Sequence, residues 1–287
     1  MNYSQIILLI TTSYLIVHCW CYKPVFLLHG ILTGAESMLI MEEEIKRHHP
    51  GTKVYMTDRF SGWSSLENTW HQVMELGSDI MEICEKYPEG IHLVGYSQGG
   101  LLSRAILQTF TNHTVKNFIS LSSPQAGQYG TEFLHLIFPS LTAKAAFELF
   151  YSFVGQHTSV GNYWNDPHHQ DLYYKYSNFL PYVNNAIPSS NSTQFREGLL
   201  KLDKMILIGG PNDGVITPWQ SSHFAYFDEN DEVVPLHRRE IYTQDLIGLK
   251  TLEKEGKLKI LSFPNVKHHQ WHLDVRVINE AVLPYLD

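Results

Sequence analysis

The 287 residues are 44% hydrophobic and 17% charged, a balance that suits one large globular domain with a sizeable core. A net charge of −8, with no lysine or arginine cluster longer than two or three residues, argues against nucleic acid as a partner. Aromatic residues reach 13%, enough to line a cavity or lid in addition to filling a core.

Residues 1–21 carry no charged side chain, and Ile6–Val17 is an apolar run broken by Thr11-Thr12-Ser13. This reads as a secretory signal peptide cleaved after Cys19 or Cys21, although no Lys or Arg precedes the run. The alternative, a signal anchor, is disfavoured because a bilayer takes about 20 residues to span. No later segment approaches that length, so no stable membrane span is expected. The three cysteines, Cys19, Cys21 and Cys84, are too few for a disulfide-stapled scaffold. The secretory reading agrees with two glycosylation sequons, at Asn112 and Asn191.

After the leader, Pro24–Leu28 reads as a buried strand ending at His29-Gly30, and Glu36–His48 has helical spacing. Lys53–Thr57 suits a second strand. A long helix is expected from about Leu66 to Tyr87, stopped by Pro88-Glu89-Gly90. The apolar run Ile91–Val94 then meets Gly95-Tyr96-Ser97-Gln98-Gly99, and helical spacing resumes at once. Strand, sharp turn and helix with a serine at the apex form a nucleophile elbow, in which glycines at −2 and +2 let strand and helix pass closely. Further strands are expected at Val115–Leu121, Lys204–Ile208 and Lys259–Phe263, and a final helix over Asp274–Leu286. This alternation predicts a mostly parallel sheet covered by helices on both faces, within one domain spanning residues 22–287.

Between about Gly127 and Leu202 the alternation breaks. Two helix-like runs, Phe133–Phe138 and Leu141–Val154, flank Pro139, and a stretch rich in Tyr and Asn follows. The second run places Ala146, Phe147, Leu149, Phe150, Phe153 and Val154 at helical spacing with a wide apolar face. An insert here is either a subdomain packed on the sheet for stability or an apolar cap over a fatty chain.

A serine nucleophile needs a base, and the base needs an orienting acid, in the chain order Ser, Asp or Glu, His. Asp213, in the Asn212-Asp213-Gly214 turn after a buried strand, is the candidate acid, with Asp58 its main competitor. The base falls in the loop after the last strand, where His268, His269 and His272 compete and His268 is preferred. The oxyanion hole is assigned to the backbone N–H groups of Gln98 and Ile31. Sixteen histidines invite a metal reading, but no ligand spacing of the H-E-x-x-H kind occurs, so neither metal nor cofactor is expected.

Several stretches together, HLVGYSQGGLLSRA, FISLSSPQAGQYG, GNYWNDPHHQDLY and LIGGPNDGVITPWQSSHFAYFD, resemble the palmitoyl-protein thioesterases, in their lysosomal, second-type branch. The similarity runs from about Pro24 to Leu286. It implies an α/β-hydrolase fold and hydrolysis of fatty acyl thioesters in the lysosome, with secretion as the alternative fate. On this sequence the family's nucleophile falls on Ser97, its acid on Asp213 and its base on His268. Relatives tend to carry several disulfides that three cysteines cannot form. A carboxylester lipase of the same fold and a non-catalytic lipid-binding homologue are the alternative functions. Equal turnover of oxygen esters favours the first; failure of a fluorophosphonate probe to label Ser97 favours the second.

Overall fold

A computed structural model of the chain describes residues 22–130 and 143–287. The expected signal peptide and the run Phe133–Phe138 lie outside these residues, as does Cys21; Cys84 is a free, buried thiol. In chain order the strands are β1 (Val25–Leu28), β2 (Val54–Met56), β3 (Ile91–Tyr96), β4 (Val115–Leu121), β5 (Lys204–Gly209), the short β6 (Tyr226–Phe227) and β7 (Val233–Val234), and β8 (Leu258–Ser262). Six of them form one sheet in the order β2-β1-β3-β4-β5-β8, and every neighbouring pair is parallel. Strands β6 and β7 make a separate antiparallel ribbon.

The sheet is covered on both faces, so its strands read as continuous apolar runs whose alternate residues enter two different cores. Phe26, Leu28, Leu93, Phe118, Met205 and Leu207 face one. Val25, Leu27, Val94, Ile119, Ile206 and Ile208 face the other, where Trp271 and the C-terminal helical turns pack. The major flanking helices are α1 (Leu39–His48), α2 (Thr69–Lys86) and α3 (Gln98–Thr109).

Helix α2 starts three residues later than expected because a 3-10 turn, Gly62–Leu66, intervenes and Asn68 caps the helix, its side chain accepting from the Trp70 and His71 N–H groups. The expected final helix over Asp274–Leu286 is instead three short turns, α-helical over Val275–Val277, π over Ile278–Val282 and 3-10 over Leu283–Tyr285. Pro284, which has no N–H to give, stands in the last of them.

The segment between β4 and β5 contributes α4 (Ala143–Phe150), α5 (Ser159–Tyr163), α6 (Gln170–Tyr176), α7 (Leu180–Val183) and α8 (Ser192–Leu200). Helix α4 ends at Phe150, so Phe153 and Val154 leave the expected apolar face and stand 81% and 66% exposed. Tyr163, Trp164, Tyr173 and Phe179 are buried in the core shared with α2 and α3. The segment is fastened to α3 by Arg104, which is fully buried and has no acidic partner among the described residues. Its guanidinium donates to Gln125 Oε1 at 2.7 Å, the Gln125 carbonyl at 3.1 Å, Gln108 Oε1 at 3.2 Å and the Val183 carbonyl at 3.1 Å. After β5 come the β6–β7 ribbon, α9 (Glu240–Thr243) and α10 (Leu249–Lys254).

Candidate active site

Strand β3 runs directly into Ser97, whose backbone is held at φ 53° and ψ −127°. Such a conformation costs a residue with a side chain on the order of 1–3 kcal/mol, so the neighbours must enforce it. The Ser97 N–H donates to the Leu121 carbonyl at 2.8 Å and its carbonyl accepts from Gly100 N–H at 3.0 Å. A Cβ on Gly95 would lie 2.5 Å from Gly100 Cα, so Gly95 does serve the passage of strand and helix. Gly99 has a different role. A Cβ there would lie 2.3 Å from the His29 carbonyl oxygen, so Gly99 makes room for the loop after β1 and not for β3. Gly100, just outside the pentapeptide, is as tightly enclosed, with Ser123 Oγ 1.9 Å from the position of a Cβ.

Asp213 follows β5 and His268 follows β8, neighbouring strands of the sheet. The two loops are joined through backbone, since His268 N–H donates to the Asp213 carbonyl at 2.8 Å. His268 Nε2 stands 2.9 Å from Ser97 Oγ, and Nδ1 stands 2.9 Å and 3.1 Å from the two Asp213 carboxylate oxygens. With Nδ1–H donating to Asp213, Nε2 presents a lone pair to the serine hydroxyl.

The carboxylate of Asp213 is buried yet supplied with donors. Oδ2 accepts from Ser122 Oγ at 2.5 Å and Trp271 Nε1 at 2.6 Å, while Oδ1 accepts from the N–H groups of Ile216 at 2.7 Å and Val215 at 3.0 Å. Burial pushes this carboxyl up, but His268, Ser122 and the Ile216 amide together outweigh it and hold it below the ordinary carboxylate range.

The competing residues separate in space. Asp58 is exposed and caps a turn, its Oδ1 accepting from Ala35 N–H at 3.0 Å. His269 is exposed. His272 is buried with its ring 4.2 Å from that of Tyr96, and its Nδ1 has no hydrogen-bond partner among the described residues. Burial, aided by His268 and His269, lowers it to about 4, so it stays neutral across the physiological range.

The loop after β1 lies against the elbow, a Cβ on Gly30 falling 3.1 Å from Ser97 Cβ. Leu32 N–H donates to Ser65 Oγ at 2.7 Å, whereas those of Ile31 and Gln98 meet no acceptor among the described residues. Two open donors near Ser97, one of them at a helix N-terminus, are the kind of group that favours negative charge. The Gln98 side chain is tied back to the Ser65 carbonyl at 2.8 Å and does not enter this space.

Sequence reasoning missed three supports of this arrangement. Trp271 sits in the same turn as the histidines and donates to the acid, which its position beside them could have suggested. Tyr96, at the variable position of the elbow motif, donates its hydroxyl to the His268 carbonyl at 2.9 Å. Ser122 reaches Asp213 from a backbone at φ 44°, which no local pattern announces. Among the described residues, no group of three or more His, Cys, Asp or Glu converges as metal ligands, and no helix is long and apolar enough to cross a membrane. The sequon residues Asn112 and Asn191 are both exposed.

The family model described as palmitoyl protein thioesterase matches residues 24–269. The lysosomal thioesterase PPT2 homolog of Drosophila melanogaster is 59% identical over 99% of this chain and 98% of its own length. Human lysosomal thioesterase PPT2 is 41% identical over 94% of this chain and 89% of its own. Among solved structures, the mature lipase BlEst2 of Bacillus licheniformis superposes with a TM-score of 0.53 at 16% identity, covering 93% of each chain, a likeness of α/β-hydrolase fold.

Proposed function

The chain belongs to the palmitoyl protein thioesterase family, and we propose that Ser97, His268 and Asp213 carry out its hydrolysis of fatty acyl thioesters through an acyl-enzyme. The observation that carries this reading is the unbroken line of hydrogen bonds from Ser97 Oγ through both nitrogens of His268 to Asp213.

In this mechanism Ser97 Oγ attacks the thioester carbonyl carbon as His268 Nε2 takes its proton. The carbonyl oxygen, now negative, is held by the N–H groups of Ile31 and Gln98. Asp213 keeps the imidazole oriented and offsets its positive charge while it holds the extra proton. Collapse breaks the carbon–sulfur bond. The sulfur takes the proton from His268 and leaves as a thiol, or leaves as a thiolate while the imidazolium gives its proton to solvent; a thiol pKa of about 8.5 makes either route easier than loss of an alkoxide. Water, deprotonated by His268, then attacks the Ser97 ester, and His268 returns the proton to Ser97 Oγ as the fatty acid leaves.

Relatives named lysosomal thioesterases support a lysosomal location, which the leader and sequons would supply through the secretory pathway. In the same reading residues 22–287 form one hydrolase domain, and the helices between β4 and β5 select the acyl chain as a cap. Hydrolysis of palmitoyl-CoA by the purified protein tests the proposal. Ser97→Ala and His268→Ala should each abolish turnover and leave the folded far-UV spectrum intact, and only a chain retaining Ser97 should be labelled by a fluorophosphonate. Turnover that survives Ser97→Ala overturns the assignment.

A further inference from the structure

A second pocket, of about 300 Å³, lies between α6 and α7 on one side and the β6–β7 ribbon and α9 on the other. That volume is at the lower end of small-molecule sites. Its lining includes none of Ser97, Asp213, His268, Ile31 or Gln98, so it is not part of the reaction centre, and a ligand held there is independent of the thioesterase reading.

The pocket holds polar groups in need of partners. Arg239 is half-buried, and desolvation lowers its pKa. One of its N–H groups donates to the Phe224 carbonyl at 2.7 Å, and the guanidinium stands 5.6 Å from the Tyr226 ring centre. Among the described residues neither Arg239 nor the adjacent Arg238 forms an ion pair. The half-buried Arg239 guanidinium keeps N–H groups that form a fork suited to two oxygens. Beside it, Tyr173 is 3% exposed, and its hydroxyl has no bond to another described residue; burial raises it well above 10, so it remains a donor. Asn184, 6% exposed, lines the same space with its Oδ1 unpartnered.

Two acids also line the pocket; Asp228 lies in the field of Arg238 but forms no ion pair with it among the described residues. Asp228 Oδ1 accepts from the N–H groups of Asn230 at 2.9 Å and Glu232 at 3.0 Å, and Glu240 is exposed at the rim. The half-buried Arg239, with the exposed Arg238 beside it, suits a dianionic group better than a monoanionic one. The rim acids repel a second anion, and Asn184 asks for a hydroxyl or N–H donor. The ring of Tyr174 offers a flat apolar wall at the same opening.

We propose that this pocket binds a phosphorylated polyol, with the phosphate on Arg239 and Tyr173, a hydroxyl donating to Asn184 Oδ1, and the carbon ring against Tyr174. The same chemistry is offered by a free sugar phosphate and by a phosphorylated inositol headgroup.

Calorimetric titration of the full chain with glucose 6-phosphate, glucose and glucuronate tests the site. Glucose 6-phosphate should saturate a single site while glucose and glucuronate bind at least about tenfold more weakly, as expected for loss of a charged hydrogen-bonded pair. Arg239→Lys keeps the charge but loses the fork and should weaken binding by about 10- to 100-fold. Because Arg239 also braces Phe224, the isosteric Asn184→Asp is the second variant; it places a carboxylate opposite the ligand's hydroxyl and should weaken binding by a similar factor. Both variants should keep the wild-type hydrolysis of palmitoyl-CoA. Sedimentation with vesicles containing phosphatidylinositol 4-phosphate, lost in Asn184→Asp, assigns the polyol to a lipid; titration without sedimentation assigns it to a soluble ligand. Absence of saturable binding, equal binding of glucuronate, or undiminished binding in both variants overturns the proposal.

Discussion

Replacing Ser122 by alanine removes one hydrogen bond to Asp213 and almost nothing else, since the side chain is fully buried and the change in volume is one oxygen. The magnitude depends on what remains. Oδ2 keeps Trp271 Nε1 at 2.6 Å and His268 Nδ1 at 2.9 Å, so the oxygen is not orphaned and the full desolvation penalty is not incurred. The cost should therefore fall near the low end for a bond to a charged group, about 1.5 kcal/mol. For a chain of this size that is a fall in Tm of about 3–6 °C. If the bond also holds the carboxylate square to His268, kcat/KM falls up to about tenfold, with kcat and not KM carrying the loss. The stability contribution has a sign that can be read against pH. The folded-state pKa of Asp213 is depressed, so its contribution is present above the unfolded carboxylate value and is lost as pH falls through the lower folded value. Wild type and Ser122→Ala should thus differ in urea midpoint at neutral pH and converge in strong acid. A variant with unchanged Tm and unchanged kcat/KM would refute the view that Asp213 is an ionised acceptor in need of this donor.

Other expectations can be checked on the same preparations. Gly99→Ala drives a methyl group into the His29 and Leu28 carbonyls and should cost about 3 kcal/mol or yield insoluble protein, whereas a wild-type melting temperature would show that the loop after β1 can retreat. His272→Gln should retain hydrolysis within a few-fold while His268→Ala loses it; the opposite ranking would exchange the base assignment. His113, His223 and His272 are each buried and lowered, chiefly by burial, from 6.5 to about 4. The native state therefore binds fewer protons than the unfolded chain over this interval. Stability should be full above pH 6.5 and fall toward pH 4, by about 3 kcal/mol for each group. In His223→Gln the amide can replace the 3.1 Å bond to the Leu261 carbonyl without titrating, so its urea midpoint should fall less steeply; an identical slope would count against the argument.

Much of this was readable from the chain because its signals are local. β4 begins and ends where its apolar run does, at Val115 and Leu121, and Ser97, Asp213 and His268 each stand at the end of such a run or in the loop beyond it. The choice among three histidines was not local. It depends on which imidazole lies 2.9 Å from Ser97 Oγ, and that is set by the β5–β8 register and the His268 backbone bond to Asp213. The segment after β4 misled for another reason. Its aromatic residues suggested one long apolar face, but the helix stops at Phe150 and the turn at Ser152-Phe153-Val154-Gly155 points Phe153 to solvent. Periodicity carries no information about where a helix ends when no cap or proline marks the place.

The order of strands in the sheet has a consequence for how the protein can be taken apart. Strands β1 to β4, with Ser97, come from the chain before residue 130, and β5 and β8, with Asp213 and His268, from the chain after residue 200. Ser97 and His268 therefore belong to two halves of the polypeptide whose strands pair at one seam, β4 against β5, where Ser122 N–H donates to the Ile208 carbonyl and Ser122 Oγ to Asp213. A chain divided between these halves and recombined should recover esterolytic turnover only to the extent that this seam re-forms. On the proposed mechanism each half alone is inactive, one holding Ser97 without His268 and the other His268 without Ser97.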